Sequence, residues 1–171
     1  MPWWPIAILA ISTLSTSAQN PECLFEVVSG KITIKKERVG SLCPCVFERL
    51  KVKNIDNFEW PECLQAKPLV EISIVKTPMD HLPEGITTIK SLKKLSLKFT
   101  GISALPDDIA NLQSLEELDL RGTEVKTLPS GLGHLKKIDL RMVDLNKNQQ
   151  ASLREQYPRT KIFFSSPCNC N

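Results

Sequence analysis

Two short patterns recur in step along this chain, and they constrain its fold more than any other feature of the sequence. The first is apolar, of the form LxxLxL, and occurs as FERLKV, LVEISI, LKKLSL, LEELDL and LKKIDL, starting at positions 47, 69, 92, 115 and 135. The second is a proline turn, WPECL, LPEGI, LPDDI and LPSGL, starting at positions 60, 82, 105 and 128. Spacings of 22, 23, 23 and 20 residues for the first and 22, 23 and 23 for the second indicate a repeated supersecondary unit.

Each unit predicts a short strand that leaves the sheet at a proline turn. Side chains alternate along a strand, so positions four and six share the buried face and positions three, five and seven the other. Thr77, Thr100 and Thr123 follow the strands and are placed to hydrogen-bond to the backbone of the adjacent coil. No unit buries its apolar side alone, so stacked units must form one continuous core.

The repeat resembles the leucine-rich repeat family, in the variant whose units contain an LPxxL or LPxxI segment. The resemblance covers residues 47 to about 145. It implies an α/β fold, a curved solenoid with a parallel β-sheet on the concave side and turns or short helices on the convex side. Such solenoids host many unrelated partners, so the resemblance supports binding in general and names no ligand.

Both ends of the solenoid need a cap, because the terminal units otherwise expose the core. Residues 24–39 alternate apolar and polar around Ser29-Gly30 and predict a β-hairpin. At the other end we expect a helix from Asn146 or Asn148, ended by Pro158, and then a strand over Lys161–Phe164. The predicted organisation is a leader at 1–18, a cysteine-containing N-terminal cap at 19–46, repeats at 47–145 and a C-terminal cap and tail at 146–171.

The first 18 residues predict a secretory signal peptide. They contain no charged side chain and have an apolar run from Ile6 to Leu14 that is too short to span a bilayer. Thr16 and Ala18 are spaced as at a cleavage site. We therefore expect a secreted, periplasmic or cell-surface protein with no transmembrane segment; the alternative for this stretch is an uncleaved amphiphilic anchor.

Six cysteines behind such a leader predict disulfides. Strands stacked about 4.8 Å apart separate the two caps by far more than the ~7 Å that a disulfide allows between Cα atoms. The four early cysteines should therefore pair among themselves. We expect Cys63 to pair with Cys43 or Cys45, and Cys23 to take the other.

Cys168 and Cys170 at the end of the chain leave two interpretations open. In the first, they belong to a flexible tail and pair locally. In the second, they form a reducible CxC disulfide or a soft metal site. Such chemistry normally needs further ligands or a neighbour that lowers the thiol pKa, so the first is favoured.

Motifs and composition point away from an enzyme and from nucleic acid. The histidines, His81 and His134, occupy turn or coil positions, where we expect solvated residues on the convex side. There is no GxSxG, HExxH or P-loop pattern. A net charge of +3 is too mild to call for nucleic acid. We expect no enzymatic activity, no cofactor and no metal, and the sequence gives no indication of oligomeric state.

The predicted concave face carries three columns of side chains, one for each outward position of the repeat. The third-position column alternates in sign and predicts a ladder of opposite charges: Arg49, Glu71, Lys94, Glu117, Lys137. The fifth-position column changes from basic to acidic: Lys51, Ser73, Ser96, Asp119, Asp139. The seventh-position column is basic at four of five places: Lys53, Val75, Lys98, Arg121, Arg141.

Function is therefore expected on this concave face. The seventh column is either a solvated edge or a stripe that docks acidic groups of a protein or, as second candidate, an anionic glycan. Phe99 and Met142, one position further on, either anchor a partner or pack at the sheet edge. The predicted partner-binding residues are Lys53, Lys98, Phe99, Arg121 and Arg141. The alternatives to an interaction module are a thiol-redox or metal-handling protein that uses its CxC motifs, and a structural cell-surface component.

Overall fold

The protein is built around a single parallel β-sheet. The computed structural model describes residues 31–34, 47–56 and 58–165. In that part of the chain, seven strands follow one another in sequence order and each pairs in parallel with the next. They are β1 (Lys31–Ile34), β2 (Arg49–Lys53), β3 (Glu71–Val75), β4 (Lys94–Lys98), β5 (Glu117–Asp119), β6 (Lys137–Leu140) and β7 (Lys161–Phe164). The predicted solenoid with a parallel sheet is confirmed.

The core follows directly from the register of the strands. Equivalent positions pair rung by rung, so that Leu50 lies beside Ile72 and Ile72 beside Leu95. The fourth- and sixth-position columns point inward and are buried: Leu50, Ile72, Leu95, Leu118, Ile138, and Val52, Ile74, Leu97, Leu120, Leu140. Burying each such side chain contributes about 1.5–3 kcal/mol as an upper estimate. Stacking therefore supplies the core that no single unit has.

Each strand ends at a backbone position in the left-handed region. The eighth position of every repeat has a positive φ, between 52° and 65°: Asn54, Lys76, Phe99, Gly122, Met142. This conformation turns the chain out of the sheet direction. For residues other than glycine it is uncommon, so four such residues and one glycine in register make it a property of the repeat.

Buried threonines hold the turn that follows. Thr100 Oγ1 donates to the carbonyl oxygen of Leu97 at 3.1 Å, and Thr123 Oγ1 donates to that of Leu120 at 2.7 Å. Thr77 makes a longer bond of 3.4 Å to the carbonyl oxygen of Val75. The predicted backbone hydrogen bonds exist, but the acceptors lie at the ends of the preceding strands instead of in the adjacent coil.

The convex side consists of short 3-10 segments and turns. The 3-10 segments are Glu62–Ala66, Ile86–Thr88 and Asp107–Asn111, and the shorter fourth unit has turns in the same place. There Gly131 adopts φ +92°, and a Cβ at this residue would lie 2.9 Å from Ala110 Cβ, so a glycine is needed. His134, exposed as expected, has one ring nitrogen 3.1 Å from the carbonyl oxygen of Gly131 and the other 3.1 Å from that of Leu112.

The C-terminal cap has the predicted helix and strand. Helix α1 spans Lys147–Gln156 and begins at a capping box, in which Asn146 and Gln149 each accept the other's backbone N–H at 2.9 Å. Tyr157, buried at its end, donates its hydroxyl to the carbonyl oxygen of Pro129 at 2.5 Å. The cap is thereby tied to the last proline turn, and β7 closes the sheet against β6.

The N-terminal end differs from a simple cap because β1 continues the repeat ladder. Lys31 pairs with Arg49 in the same parallel register as the later strands, so the sheet begins one strand earlier than the first repeat identified at position 47. The other arm of the expected hairpin lies outside the described residues, so the hairpin stays a prediction.

The leader at 1–18 and five of the six cysteines, Cys23, Cys43, Cys45, Cys168 and Cys170, also lie outside the described residues. Cys63 is disulfide-bonded, and the choice between Cys43 and Cys45 as its partner remains a prediction. Between positions 31 and 165, the described segments include no helix long and apolar enough for a bilayer crossing.

Candidate functional site

The outward, concave face of the sheet brings the three predicted columns together. In the third-position column, Lys94 Nζ lies 2.7 Å from Glu117 Oε1 on the next strand. The hydrogen bond and the charge of Glu117 raise the pKa of Lys94. The strand register places Arg49 beside Glu71 and Glu117 beside Lys137, so the expected alternation of sign is present across β2 to β6.

Asp119 and Arg121 form a closed pair along one strand. Arg121 folds back over Asp119 and donates from Nε at 3.0 Å and from Nη2 at 2.8 Å, one bond to each carboxylate oxygen. Its backbone N–H donates to the same carboxylate at 3.3 Å. Lys98 Nζ, on the preceding repeat, lies 3.2 Å from Asp119 Oδ2. One carboxylate therefore holds two cations of the seventh-position column.

The next repeat contains the same pair. Arg141 donates to Asp139 from Nε at 2.9 Å and from Nη2 at 2.6 Å, and its backbone N–H donates at 3.3 Å. Arg121 Nε lies 3.6 Å from Asp139 Oδ2 and links the two pairs. The five side chains form one continuous network across three strands: Lys98, Asp119, Arg121, Asp139 and Arg141. We call it the concave ion network.

The two carboxylates are partly or wholly removed from solvent, with side-chain exposures of 22% for Asp119 and 2% for Asp139. Burial by itself raises the pKa of each aspartate, but the hydrogen bonds from Arg121 and Arg141 and the nearby positive charges outweigh it. The pKa of both groups therefore lies below its ordinary value, and both are ionised at neutral pH. The partner carboxylates in turn raise the pKa of both arginines.

Three cations of the predicted basic stripe are therefore engaged in ion pairs within the sheet. Lys98, Arg121 and Arg141 were predicted to form either a solvated edge or a stripe that docks acidic groups, and each is paired with an aspartate of the fifth-position column. The signal was present in the sequence as DLR at 119–121 and again at 139–141. Residues two apart on a strand share a face, so reading along the strands finds these pairs, whereas reading down the columns separates them.

Lys53 lies apart from the network. It ends β2 at the seventh position and pairs in register with Val75, which in turn pairs with Lys98. Two strand spacings, about 10 Å, therefore separate Lys53 from Lys98. The four predicted cations thus divide into Lys53, outside the network, and a connected group of three.

Phe99 lies over a glycine at the edge of this face. Its side chain is 41% exposed, and a Cβ on Gly122 would lie 2.5 Å from its ring carbon Cδ1. The ring therefore rests on the bare backbone of Gly122, the equivalent position of the next repeat. Met142, one repeat further, is 64% exposed. These are the two large exposed apolar side chains of the described residues, and they occupy the same column.

Grooves also lie on the other side of the molecule. One, of about 670 Å³, runs between the proline turns of two repeats and is lined by His81, Pro83, Thr87, Pro106 and Asp108 among others. Thr87 donates to Asp108 across it at 2.8 Å. Among the described residues, no group of histidine, cysteine, aspartate or glutamate side chains could hold a metal ion.

Comparisons with known proteins identify the class of fold. No protein-family model matches the chain, and no curated protein matches it. A leucine-rich repeat protein of Leptospira interrogans has a similar structure, with a TM-score of 0.60 and 23% identity over 77% of this chain and 35% of its own. An internalin of Listeria monocytogenes gives 0.54 and 18% over 80% and 39%, and a plant ice-binding protein 0.50 and 19% over 71% and 45%.

The class is thus a solenoid of stacked strand-and-turn repeats, and its particular fold is that of the leucine-rich repeat proteins. The chain spans less than half the length of each of these three proteins. At these identities the likeness concerns the fold and not the ligands.

Replacing Gly122 by alanine should displace the ring of Phe99 from the backbone on which it packs. The new methyl group occupies the space of the ring, and φ +65° strains any residue with a Cβ, so we expect a loss of about 1–3 kcal/mol in the free energy of unfolding. In the F99A background the ring contact is already gone, and the same G122A change should cost less. Equal costs in the two backgrounds, measured by urea unfolding, would show that the ring does not rest on this glycine.

Replacing Asp139 by asparagine should remove an acid-sensitive part of the stability. Because the folded-state pKa of Asp139 lies below its ordinary 3.8, its contribution is complete above about pH 5 and is lost as pH falls through the folded-state value. D139N should cost about 1–3 kcal/mol at pH 7, and its deficit relative to wild type should shrink below about pH 4. The exposed Asp56 serves as the control, since D56N should follow wild type throughout. A D139N deficit that stays constant down to pH 2 would contradict the pairing.

Proposed function

We propose that this protein is a non-enzymatic, secreted or surface-exposed interaction module that binds a protein partner on its concave face. The observation that carries the proposal is the exposed ring of Phe99, seated on Gly122 beside the concave ion network. Aromatic side chains in fixed positions are frequent hot spots of protein interfaces. The residues proposed to contact the partner are Lys53, Lys98, Phe99, Arg121 and Arg141.

The ion network suits recognition because it is organised before a partner arrives. Arg121 and Arg141 are each held by two side-chain hydrogen bonds to an aspartate, so little side-chain entropy remains to be lost on binding. Their outer edges stay accessible, with side-chain exposures of 31% for Arg121 and 47% for Arg141. A partner's acceptor groups can approach these edges without displacing the aspartates.

The network also determines which substitutions test binding cleanly. Reversing Lys98, Arg121 and Arg141 to glutamate would place new carboxylates beside Asp119 and Asp139 and disrupt the sheet face itself. Phe99 and Lys53 lie outside the network and are the sharper probes. The exposed Lys90 on the convex side, whose Nζ lies 3.3 Å from the carbonyl oxygen of Asn111, offers a matched control.

Immobilised full-length protein should retain a specific partner from the extracellular or envelope fraction of its source organism. We expect F99A to weaken that binding by about tenfold or more, as for the loss of an aromatic hot spot. K53E should also weaken binding, and the loss should be larger at low salt, where the charge is less screened. K90E should bind as wild type does. A partner that is lost from K90E and retained by F99A and K53E would move the binding surface to the convex side and contradict the proposal.

Secretion is a separate part of the proposal and rests on the leader. If residues 1–18 are removed, the intact mass of the exported protein corresponds to a chain starting at Gln19. Alkylation without prior reduction should add no mass, since all six cysteines are proposed to be in disulfides. A retained leader would favour an anchored protein, and two free thiols would favour the redox or metal-handling alternative at Cys168 and Cys170.

A further inference from the structure

The alternating charges of the third-position column break at the last rung of the sheet, as they do at the first, where Lys31 pairs with Arg49. Lys137 on β6 pairs in register with Lys161 on β7, whereas the rungs from Arg49 to Lys137 oppose residues of unlike sign. Neighbouring parallel strands are about 4.8 Å apart, and like charges placed directly opposite each other are destabilising. The opposition of these two ammonium groups therefore does not stabilise the sheet.

An aromatic ring lies close to both lysines and to Arg141. Phe163, on β7, has Lys161 Nζ at 5.0 Å, Lys137 Nζ at 5.4 Å and the guanidinium carbon of Arg141 at 5.9 Å from its ring centre. Each distance is within the range of a cation–π interaction. The contacts hold three positive groups around one half-buried ring.

Negative charge at this end does not balance them. Among the outward positions of β6 and β7, with Arg141 included, there are three cations, Lys137, Arg141 and Lys161, and a single carboxylate, Asp139, which leaves an excess of two positive charges. Asp139 is committed to Arg141 and Arg121, and the adjacent Glu117 is paired with Lys94. Over residues 47–56 and 58–165, no carboxylate oxygen lies within ion-pair distance of Lys137 or Lys161.

We propose that Lys137 and Lys161, positioned by Phe163, form a subsite for the carboxylates of an acidic segment in the partner protein. The proposal rests on the proposed function and specifies what the C-terminal end of the concave face recognises. A carboxylate placed between the two ammonium groups removes their repulsion and receives charge-assisted hydrogen bonds from both. Arg141 provides a third donor at the rim.

The pattern of charges favours a protein segment over a sulfated glycan. At the C-terminal end of the face the excess of positive charge is confined to one rung, and the next rung in the same column is Glu117. A regularly sulfated chain extended along this column would meet Glu117 at the next rung and, beyond Lys94, Glu71, and both carboxylates repel it. A peptide carries its acidic residues locally and can present apolar groups to Phe163.

The test uses the full chain and a defined probe, N-acetyl-Glu-Glu-amide, followed by backbone amide chemical shifts. We expect saturable shifts confined to β6 and β7, and none with N-acetyl-Gln-Gln-amide. K161E should weaken binding about tenfold or more. K136E is the matched control, because Lys136 precedes β6 and is paired with Glu116 at 2.8 Å; it should retain the probe. No saturable shift at β6 and β7 would overturn the proposal, and so would inorganic sulfate binding as tightly as the dipeptide.

Separate controls test whether the variants fold and whether the concave face binds a partner at all. K161E continues the alternation of signs, so its Tm should equal or exceed that of wild type; K161Q, which introduces no new charge, gives a second variant that should also lose the probe. With a captured partner, loss of binding in F99A but not in K161E or K161Q would leave concave-face binding intact and overturn the carboxylate subsite. Indifference to all three substitutions would overturn both.

Discussion

The stacking of one repeat on the next is the constraint on which the whole structure depends. A unit of about 20 residues cannot enclose a core, so its inward leucines and isoleucines are buried only by the neighbouring units. Parallel pairing in a constant register makes this possible, since it places Leu50, Ile72 and Leu95 in one column. The same register repeats every other position as well, outward ones included. A side chain on the concave face is therefore surrounded by its equivalents in adjacent repeats.

The concave face is consequently a surface on which charges must be compatible rung by rung. Unlike charges alternate through most of the third-position column, and the DLR pairs bind aspartates to arginines within the strand. These arrangements keep a densely charged sheet stable and fix its side chains. They also make exceptions informative. The like charges of Lys137 and Lys161 and the exposed ring of Phe99 are not required by the alternation of charges, and both are proposed to serve binding.

Much of the fold could be predicted from the sequence because the repeat has two independent registers. The strand positions, the inward columns and the C-terminal helix and strand follow from local spacing and from caps such as Asn146. The first strand, Lys31–Ile34, was assigned to a hairpin, because residues 24–39 alternate apolar and polar around Ser29-Gly30. Its parallel pairing with β2 depends on tertiary stacking that no local pattern expresses.

The candidate site was predicted less completely, for a physical reason. Sequence columns show which residues share a rung, but not how a long side chain orients. Arg121 could extend away from the sheet or fold back over Asp119, and only the packed structure shows that it folds back. The packing of Phe99 on Gly122 is a similar case. The ring contacts the next repeat only because Gly122 has no side chain there. The DLR repetition was a visible signal for the first feature, whereas the second had none.

The most direct test of the account is to map, residue by residue, the surface that the captured partner covers. Backbone amide chemical shifts of the full chain, recorded with and without the partner, distinguish the two faces because strand and convex segments alternate along every repeat. We expect perturbations concentrated on β4 to β7 and the turn at Phe99, with Ile86–Thr88 and Asp107–Asn111 unchanged. Perturbations concentrated on those convex segments, with the strands unaffected, would contradict it.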